Sequence, residues 1–482
     1  MQKNKNLKIW SVAAAAMLMT AVSMNAATAP APLDPVPNAN QVVWQERGQY
    51  MFLHFGVNTF SNREWGDGKE DPKIFNPVGL DARQWVKAAR DGGFKMVVLT
   101  AKHHDGFCLW PSAYTEHSVK NSPWKNGKGD VVREVSDACK EFGLDFGVYL
   151  SPWDRNSPYY GDSPKYNEYY MNQLRELLTN YGKISIVWWD GACAEGPNGK
   201  RQEYDWDAYL KVVRELAPEA VIFSDKGDVR WVGNESGLAK ETCWSLYNRS
   251  SVEIGGGVQQ QMGEGNPQGS DWAPAECDVS IRPGWFYHAD QDDKVKSLTH
   301  LLDIYYRSVG HNCCLHLNVP PNQQGLLAPG DVARLKEFHE AVSENFKTNL
   351  ALKKKGKASS FREKSRKFNA AKALDGKRET YWALDDGQTS GSLVVDLRKP
   401  VTFDLILLQE YIELGQRVSA YHIDFWDETK GEWTELAKGT TIGYKWILRV
   451  PETTARKVRL TIDNARACPT ISSFELYQSS YK

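Results

Sequence analysis

The sequence predicts an α/β protein: a (β/α)8-type barrel followed by an all-β sandwich domain. Between residue 50 and about residue 350, apolar strand-like runs alternate with helical patterns, as in repeated βα units. After a basic linker at 353–357, the pattern changes to short alternating strands and turns, which is typical of a sandwich. A doubly wound open sheet is the competing architecture for the first part, but no glycine-rich dinucleotide fingerprint follows a predicted strand.

The barrel strands are predicted from short apolar or aromatic runs at 50–55, 96–101, 146–150, 184–189, 221–224, 243–247, 285–288 and 314–319. Helical patterns fit between or after most of them, at 81–90, 130–142, 166–181, 205–216, 292–309 and 331–346. Asp81 is a candidate N-cap and Gly143 a candidate helix stop. In the sandwich, strands are expected at 392–397, 420–426, 457–462 and 472–477.

The N-terminus is typical of an export signal. Lys3, Lys5 and Lys8 precede a largely apolar run at 9–24, and small alanines follow at a plausible cleavage site. That run is short for a membrane span, so we expect no membrane association after its removal. The predicted boundaries are a signal peptide at 1–27, a barrel domain at 28–352 and a sandwich domain at 358–482. The expected location is the periplasm or the medium.

Composition narrows the range of partners. The formal net charge is −1 and the acidic and basic residues are interspersed, which argues against nucleic acid or an anionic membrane as the main partner. The eight cysteines show no CxxC spacing, which disfavours a zinc site and leaves disulfide pairing open. A glycine- and glutamine-rich loop at 255–269 precedes the seventh predicted strand, where it can shape the mouth of a pocket. The oligomeric state is left open.

Trp188-Trp189-Asp190-Gly191 closes the predicted strand at 184–189. The carboxyl ends of parallel strands form the working face of an α/β protein. Burying a carboxylate there without a partner would cost several kcal/mol. We therefore interpret Asp190 as a catalytic carboxylate in a sugar pocket walled by tryptophan. A helix-capping or ion-paired aspartate is the alternative.

Glu235 lies in the segment 230–237, after the next predicted strand at 221–224. Carboxylates from successive strand ends can face each other across a pocket, and glycoside hydrolysis needs such a pair. A gap of about 5–5.5 Å between them predicts retention of configuration, and about 6.5–9.5 Å predicts inversion. Glu235 is the candidate proton donor, with a surface-loop glutamate as the alternative.

His103 and His104 follow the second predicted strand, and His54 ends the first. Adjacent residues on a strand point to opposite faces, so a shared metal ion would need a bulge there. Hydrogen bonding of these imidazoles to sugar hydroxyls is the favoured interpretation, and a structural role for one of the pair stays open. Glu64-Trp65 suits sugar binding as a carboxylate beside an aromatic platform.

Together these motifs resemble glycoside hydrolase family 29, the α-L-fucosidases. The resemblance covers roughly 40–350 and rests on five ordered stretches: His54-Phe55-Gly56, Glu64-Trp65, 102–107, 188–191 and Asn318-Val319-Pro320-Pro321-Asn322 with Gly325-Leu326-Leu327. It implies a retaining enzyme that needs neither a metal ion nor an organic cofactor. Its expected partners are fucosylated oligosaccharides or glycoconjugates.

The resemblance also implies residue roles. Asp190 matches the family's nucleophile, and the acid/base candidate is Glu235. Its Arg-Trp-x-Gly-Asn-Glu context is similar to the branch that prefers α-1,3/4-linked fucose beside a galactose, as in Lewis-type epitopes. The positions that match fucose-contacting residues are His54, Glu64, Trp65, His103, His104 and Tyr149, with Arg230 and Trp285 similar in placement to two further pocket-lining residues.

The C-terminal segment resembles a discoidin-type sandwich, through Ala373-Leu374-Asp375-Gly376, Thr380-Tyr381-Trp382 and the stretch 471–477. In carbohydrate enzymes such domains bind sugar in some cases and brace the barrel in others. Three rival functions stay open. The barrel could act on another glycoside, the enzyme could transfer fucose to a sugar acceptor, or the chain could be a glycan-binding protein that uses its sandwich.

Overall fold

The computed structural model describes residues 27–252 and 259–482. It contains a parallel-stranded barrel and a C-terminal antiparallel sandwich, so the predicted fold class is confirmed. The predicted signal peptide lies outside the described residues up to position 26. Residues 253–258, which include the start of the glycine-rich loop at 255–258, also lie outside them.

Eight parallel strands form the barrel sheet. They are β1 Gln49–Leu53, β2 Met96–Lys102, β3 Asp145–Leu150, β4 Ile186–Trp188, β5 Val221–Phe223, β6 Arg230–Trp231, β7 Ala275–Ser280 and β8 Cys314–Asn318. Their order in the sheet is β5-β4-β3-β2-β1-β8-β7-β6. A parallel bridge from Phe223 to Val229 narrows the remaining gap between β5 and β6, so the barrel nearly closes.

Helices surround most of the barrel: Ala39–Arg47, Val57–Ser61, Ala82–Asp91, Val131–Phe142, Ser163–Asn180, Trp206–Leu216, Gln259–Glu264, Leu298–Arg307 and Pro329–Asn345. Asp81 caps its helix as predicted, because its side chain accepts a hydrogen bond from the Gln84 backbone N–H. Gly143 ends the helix Val131–Phe142 in the left-handed conformation that glycine favours.

Two of the predicted barrel strands are wrong. The run at 243–247 contributes only Leu246–Tyr247, which pairs antiparallel with Asp271–Trp272 outside the barrel. The aromatic run at 285–288 is a loop, since the Trp285 backbone N–H donates to a side chain, the Glu64 carboxylate. The barrel instead uses β6 and β7. No described helix separates β5 from β6, so the βα alternation breaks at this point.

The barrel has two apolar layers. Its interior is filled mainly by aromatic and β-branched side chains, among them Tyr50, Phe52, Tyr149, Trp188 and Phe223. A larger outer layer lies between the strands and the helices. Trp188 stacks on Phe223 with ring centroids 4.1 Å apart. These interdigitated rings form a packed floor beneath the carboxyl ends of the strands.

The sandwich is built from a seven-stranded antiparallel sheet: Lys355–Ala358, Trp382–Ala383, Gly391–Glu410, Val418–Asp427, Glu432–Gly439, Trp446–Ala465 and Thr470–Tyr477. The four predicted strands lie within Gly391–Glu410, Val418–Asp427, Trp446–Ala465 and Thr470–Tyr477. The basic segment predicted as a linker is corrected in part, because Lys355–Ala358 pairs with 393–396. The pairing of Gly391–Glu410 with Trp446–Ala465 shifts register twice, as at β-bulges, and continues on both sides of each shift.

An N-terminal segment joins the two domains. The carbonyls of Thr28 and Ala31 accept hydrogen bonds of 2.6 Å from Arg362 and Arg417 of the sandwich. The following helix, Ala39–Arg47, lies against the barrel, where Gln41 Nε2 donates to the carbonyls of Asp228 and Trp272 at 2.8 Å each. None of the helices in 27–252 and 259–482 is both long and apolar enough to cross a membrane.

Candidate active site

A cavity of about 330 Å³ opens at the carboxyl ends of the barrel strands. It is lined by Phe52, His54, Glu64, Trp65, His103, His104, Tyr149, Trp188, Asp190, Ala192, Glu235, Asp278 and Trp285. Nine of the ten residues singled out from the sequence therefore meet in one place, although they come from positions 54 to 285. A second cavity of about 260 Å³ adjoins it and shares Trp188, Asp190, Ala192, Glu235 and Asp278.

Asp190 lies two residues beyond β4, at the junction of the two cavities. The Tyr149 hydroxyl donates to Asp190 Oδ2 over 3.2 Å, and the backbone N–H of Ala192 donates to Oδ1 over 2.8 Å. His104 Nε2 lies 3.7 Å from Oδ2. The carboxylate is half-buried, and these contacts fix its orientation while it still faces open space. This placement favours a reactive group over a helix cap.

His54 and His104 each use Nδ1 in a hydrogen bond to the protein, which leaves Nε2 free to act as an acceptor. His54 Nδ1 lies 2.9 Å from the Asn318 amide oxygen, and His104 Nδ1 lies 2.8 Å from Ser151 Oγ, whose own proton goes to the Trp153 carbonyl. Nδ1 must therefore carry the proton in both rings, which leaves each Nε2 with a lone pair. Such nitrogens accept hydrogen bonds from hydroxyl groups.

His103 has the opposite tautomer. The Asn58 amide nitrogen, which also donates to the Glu64 carbonyl, lies 3.4 Å from His103 Nδ1. Nδ1 is then the acceptor and Nε2 carries the proton. The centroid of the His103 ring lies 5.8 Å from that of Tyr149, with the two rings stacked, and 4.1 Å from that of His104. The site thus offers two acceptors and one donor from three imidazoles, which suits a sugar with several hydroxyls.

The three histidines are neutral at ordinary pH. Burial lowers the pKa of His54 to about 3, against the weaker effect of the Asn318 hydrogen bond. Burial and the neighbouring His104 and His54 hold the pKa of His103 well below its usual value, and burial also lowers that of His104. Within the described residues, no group of three or more His, Cys, Asp or Glu side chains is arranged to hold a metal ion.

Glu235 reaches the same cavities from an exposed loop after β6. Gly233 and Gly237 turn this loop with φ of +89° and +74°, values that L side chains rarely adopt. Asn234 secures it by donating to the Leu238 carbonyl over 2.9 Å. The indole N–H of Trp285 donates to Glu235 Oε2 over 3.2 Å, so an aromatic from the β7–β8 connection orients this carboxylate.

Glu64 and Trp65 form the rim on the opposite side. Glu64 accepts the backbone N–H of Trp285 at Oε2 over 2.8 Å, and His288 Nε2 lies 2.5 Å from Oε1. Glu64 therefore ties the loop after β1 to the loop after β7. Trp65 is 60% exposed and lies edge-on to His104 and Trp153, with its ring available to solvent.

Arg230 is a correction to the predicted site. Its side chain is fully buried and donates to three backbone carbonyls, those of Met262, Ala273 and Trp244. The guanidinium therefore points into the long connection between β6 and β7, which we call the excursion, and does not line either cavity. The sequence placed the residue in the segment after the strand at 221–224 and gave no information on the direction of its side chain.

The sequence analysis missed Asp278, which lies on β7 and lines both cavities. The indole N–H of Trp231 donates to Asp278 Oδ1 over 2.7 Å. It also missed Glu276 on the same strand, which accepts from Trp188 Nε1 at 2.8 Å and lies 3.0 Å from His316 Nδ1. The available signal was the alternation Ala-Glu-Cys-Asp-Val-Ser, with acids at every second position.

Two carboxylates, neutral imidazoles and aromatic rings around one open cavity are the equipment of a glycoside hydrolase. A model of the α-L-fucosidase family matches residues 34–346, and a model of the F5/8 type C domain matches residues 355–475. The chain therefore belongs to the α-L-fucosidases of glycoside hydrolase family 29, and the resemblance stated from its motifs is confirmed. The discoidin-like resemblance of the C-terminal domain is confirmed as well.

Three related proteins are similar in sequence or structure over nearly the whole chain. Alpha-L-fucosidase 1 of Arabidopsis thaliana is 48% identical over 455 residues, which cover 94% of this chain and 89% of that protein. A crystal structure of a putative alpha-L-fucosidase from Bacteroides thetaiotaomicron is 42% identical with a TM-score of 0.89, covering 94% of this chain and 99% of that one. A Ruminococcus gnavus GH29 fucosidase in complex with fucose is 38% identical with a TM-score of 0.88, covering 94% and 97%.

Proposed function

We propose that this α-L-fucosidase retains the anomeric configuration by double displacement, with Asp190 as nucleophile and Glu235 as acid/base. Asp190 attacks the anomeric carbon, the bond to the leaving oxygen breaks, and Glu235 gives that oxygen its proton. Water then loses a proton to Glu235 and displaces Asp190, which releases fucose. The observation that carries this proposal is that both carboxylates line the same two adjoining cavities.

The histidine-lined cavity is the proposed fucose site. His54 and His104 accept hydrogen bonds from sugar hydroxyls through Nε2, and His103 donates one. The Tyr149 hydroxyl keeps Asp190 aimed at the anomeric carbon, since it already donates to Oδ2. The imidazoles are neutral, so they place no positive charge next to the positive charge that develops on the sugar ring.

The adjoining cavity is the proposed site of the leaving sugar, and we infer a preference for α-1,3/4-linked fucose on branched glycans of the Lewis type. This cavity begins at Asp190 and Glu235 and continues past Ser224, Asp225 and Trp231. An aromatic wall with polar groups fits a second sugar ring. The Trp231 and Glu235 positions belong to the motif that is similar to the α-1,3/4-specific branch.

Variants of the two carboxylates test the mechanism. Asp190→Ala should lower turnover of every fucoside by about 10⁴-fold or more, since the covalent route is lost. Glu235→Ala should spare the first step for a dinitrophenyl fucoside, whose leaving group needs no proton, and stop hydrolysis of a Lewis trisaccharide. Asp207→Asn, at an exposed helix carboxylate, is the matched control. Near-normal activity of both site variants on the trisaccharide would falsify the assignment.

Two product measurements test retention and linkage. Proton NMR at early times should show α-L-fucose as the first anomer, whereas β-L-fucose as the first product would establish inversion. Release of fucose from 3-fucosyllactose should exceed release from 2′-fucosyllactose. Equal rates, or faster release from 2′-fucosyllactose, would contradict the proposed linkage preference and leave the mechanism intact.

Export is a separate proposal that rests on the basic and apolar pattern of 1–27. The full chain expressed in a Gram-negative host should appear in the periplasm or medium, with a new N-terminus close to residue 28. Mass spectrometry of the recovered protein would show this. Recovery of the uncleaved chain from the cytoplasm alone would contradict it.

A further inference from the structure

A third carboxyl group, that of Asp278, lies in the site that the two proposed catalytic acids share. Asp278 is on β7, is 4% exposed, and lines both cavities together with Asp190 and Glu235. Its Oδ1 accepts the indole N–H of Trp231 over 2.7 Å. The mechanism proposed above needs two carboxyl groups, so it leaves this one without a role.

The surroundings of Asp278 are acidic on most sides. Asp190 approaches from β4, Asp225 from the end of β5 and Glu235 from the loop after β6, while Glu276 precedes Asp278 on its own strand. His316 of β8 is its partner in the strand register and is held neutral by burial. None of the described residues that line the two cavities is a lysine or an arginine.

This arrangement disfavours a third negative charge. Burial raises the pKa of Asp278 to about 8, the Trp231 hydrogen bond opposes that rise, and the charges of Glu235 and Asp190 add to it. Asp278 is therefore mainly a carboxylic acid at neutral pH. Because Trp231 donates to Oδ1, the proton of the acid belongs on Oδ2.

We propose that Asp278 is a neutral hydrogen-bond donor of the active site, whose Oδ2–H binds an oxygen of the glycoside held between Asp190 and Glu235. The inference rests on the proposed assignment of those two residues. A protonated Asp278 adds a hydrogen-bond donor to a cavity in which His54 and His104 offer acceptors. Ionisation of Asp278 removes the donor and leaves a carboxylate facing the lone pairs of the substrate oxygen, which weakens substrate binding.

The test uses kcat/KM for the dinitrophenyl fucoside as a function of pH. This leaving group makes the first step independent of the proton on Glu235, so an alkaline limb then reports another acid. For the unmodified enzyme, kcat/KM should fall above a midpoint near pH 8, by about tenfold per pH unit.

Two variants should move that limb in predictable ways. Asp278→Asn keeps an N–H donor and cannot ionise, so the limb should disappear while kcat/KM at its optimum falls by less than about tenfold. Trp231→Phe removes the donor that stabilises the ionised form, so the limb should move to higher pH. Asp278→Ala, which keeps neither oxygen, should lose about 100-fold at all pH values, with folding checked by its thermal midpoint.

Three results would overturn the inference: an unmodified enzyme with no alkaline limb, an Asp278→Asn variant that keeps the limb, or an Asp278→Asn variant as impaired as Asp278→Ala. Each differs from failure of the underlying mechanism. If the Asp190 and Glu235 variants behave as proposed while the limb persists in Asp278→Asn, only the role of Asp278 is wrong.

Discussion

The two sides of the fucose cavity are built differently. One side, which we name the strand wall, consists of residues in or directly after β1 to β4: His54, His103, His104, Tyr149 and Asp190. The other side, the loop wall, consists of Glu64, Trp65, Glu235 and Trp285, all on connections beyond the strand ends. The side chains of the strand wall are buried apart from half-buried Asp190, whereas those of the loop wall are partly or fully exposed.

This difference suggests a division of tasks. A group fixed by the hydrogen bonds of the sheet can hold one sugar in one orientation, which is the task of the strand wall. Loops tolerate changes in length and sequence, so the loop wall can be adapted to different leaving groups. Asn318 joins the two, since its Oδ1 lies 2.9 Å from His54 Nδ1 and its Nδ2 donates to the Trp285 carbonyl over 2.8 Å.

The largest expected effect concerns the support beneath the loop wall. Arg230→Met leaves the buried carbonyls of Trp244, Met262 and Ala273 without their donor, and should lower the free energy of unfolding by about 3–5 kcal/mol. Arg175→Met, at an exposed helix position, should change it by less than about 0.5 kcal/mol. Denaturant unfolding measures both. If the two variants are equally stable, Arg230 does not anchor the excursion between β6 and β7.

The next effect concerns the strand wall. His54→Leu removes one buried acceptor for a sugar hydroxyl and should lower kcat/KM by about 100-fold on every fucoside, whatever the leaving group. The Asn318 amide oxygen keeps the His54 backbone N–H as a donor, so the thermal midpoint should move little. A loss confined to one class of leaving group would show that this wall also reads the leaving sugar.

The smallest effect concerns the loop wall. Trp285→Phe removes the N–H that orients Glu235 and keeps an aromatic ring beside His54. It should lower kcat/KM by about tenfold on a Lewis trisaccharide, where the proton from Glu235 is needed, and by far less on the dinitrophenyl fucoside. An equal loss on both substrates would show that Trp285 contributes to binding fucose, as the strand wall does, and not to orienting Glu235.

The sequence predicted the strand wall well because its residues follow regular elements. His54, His103 and Asp190 each come directly after an apolar run, and such runs locate strand ends. Asp278 escaped because β7 carries acids at alternate positions and so lacks an apolar run. Arg230 was placed in the segment after the predicted strand at 221–224, whereas it lies on β6, a two-residue strand too short to show which way its side chains point.

The aromatic run at 285–288 misled for a related reason. Trp, Phe and Tyr are frequent in strands, yet here the backbone N–H groups of Trp285 and Phe286 donate to the Glu64 carboxylate. A contact between positions 64 and 285 depends on how the barrel closes, and local composition contains no record of it. Six of the eight strands lie in apolar runs that the sequence shows, whereas the irregular part between β5 and β7 could be established only from the assembled fold.

The N-terminal segment has a consequence for how the chain folds during synthesis. Thr28, Ala31 and Leu33 are bonded to Arg362, Arg417 and Leu414, so the first part of the described chain must wait for a partner made more than 300 residues later. At a translation rate of roughly 5–20 residues per second, that wait is on the order of tens of seconds. The barrel can form in the interval. The N-terminal segment then joins the two domains, and its hydrogen bonds to the sandwich form only near the end of translation.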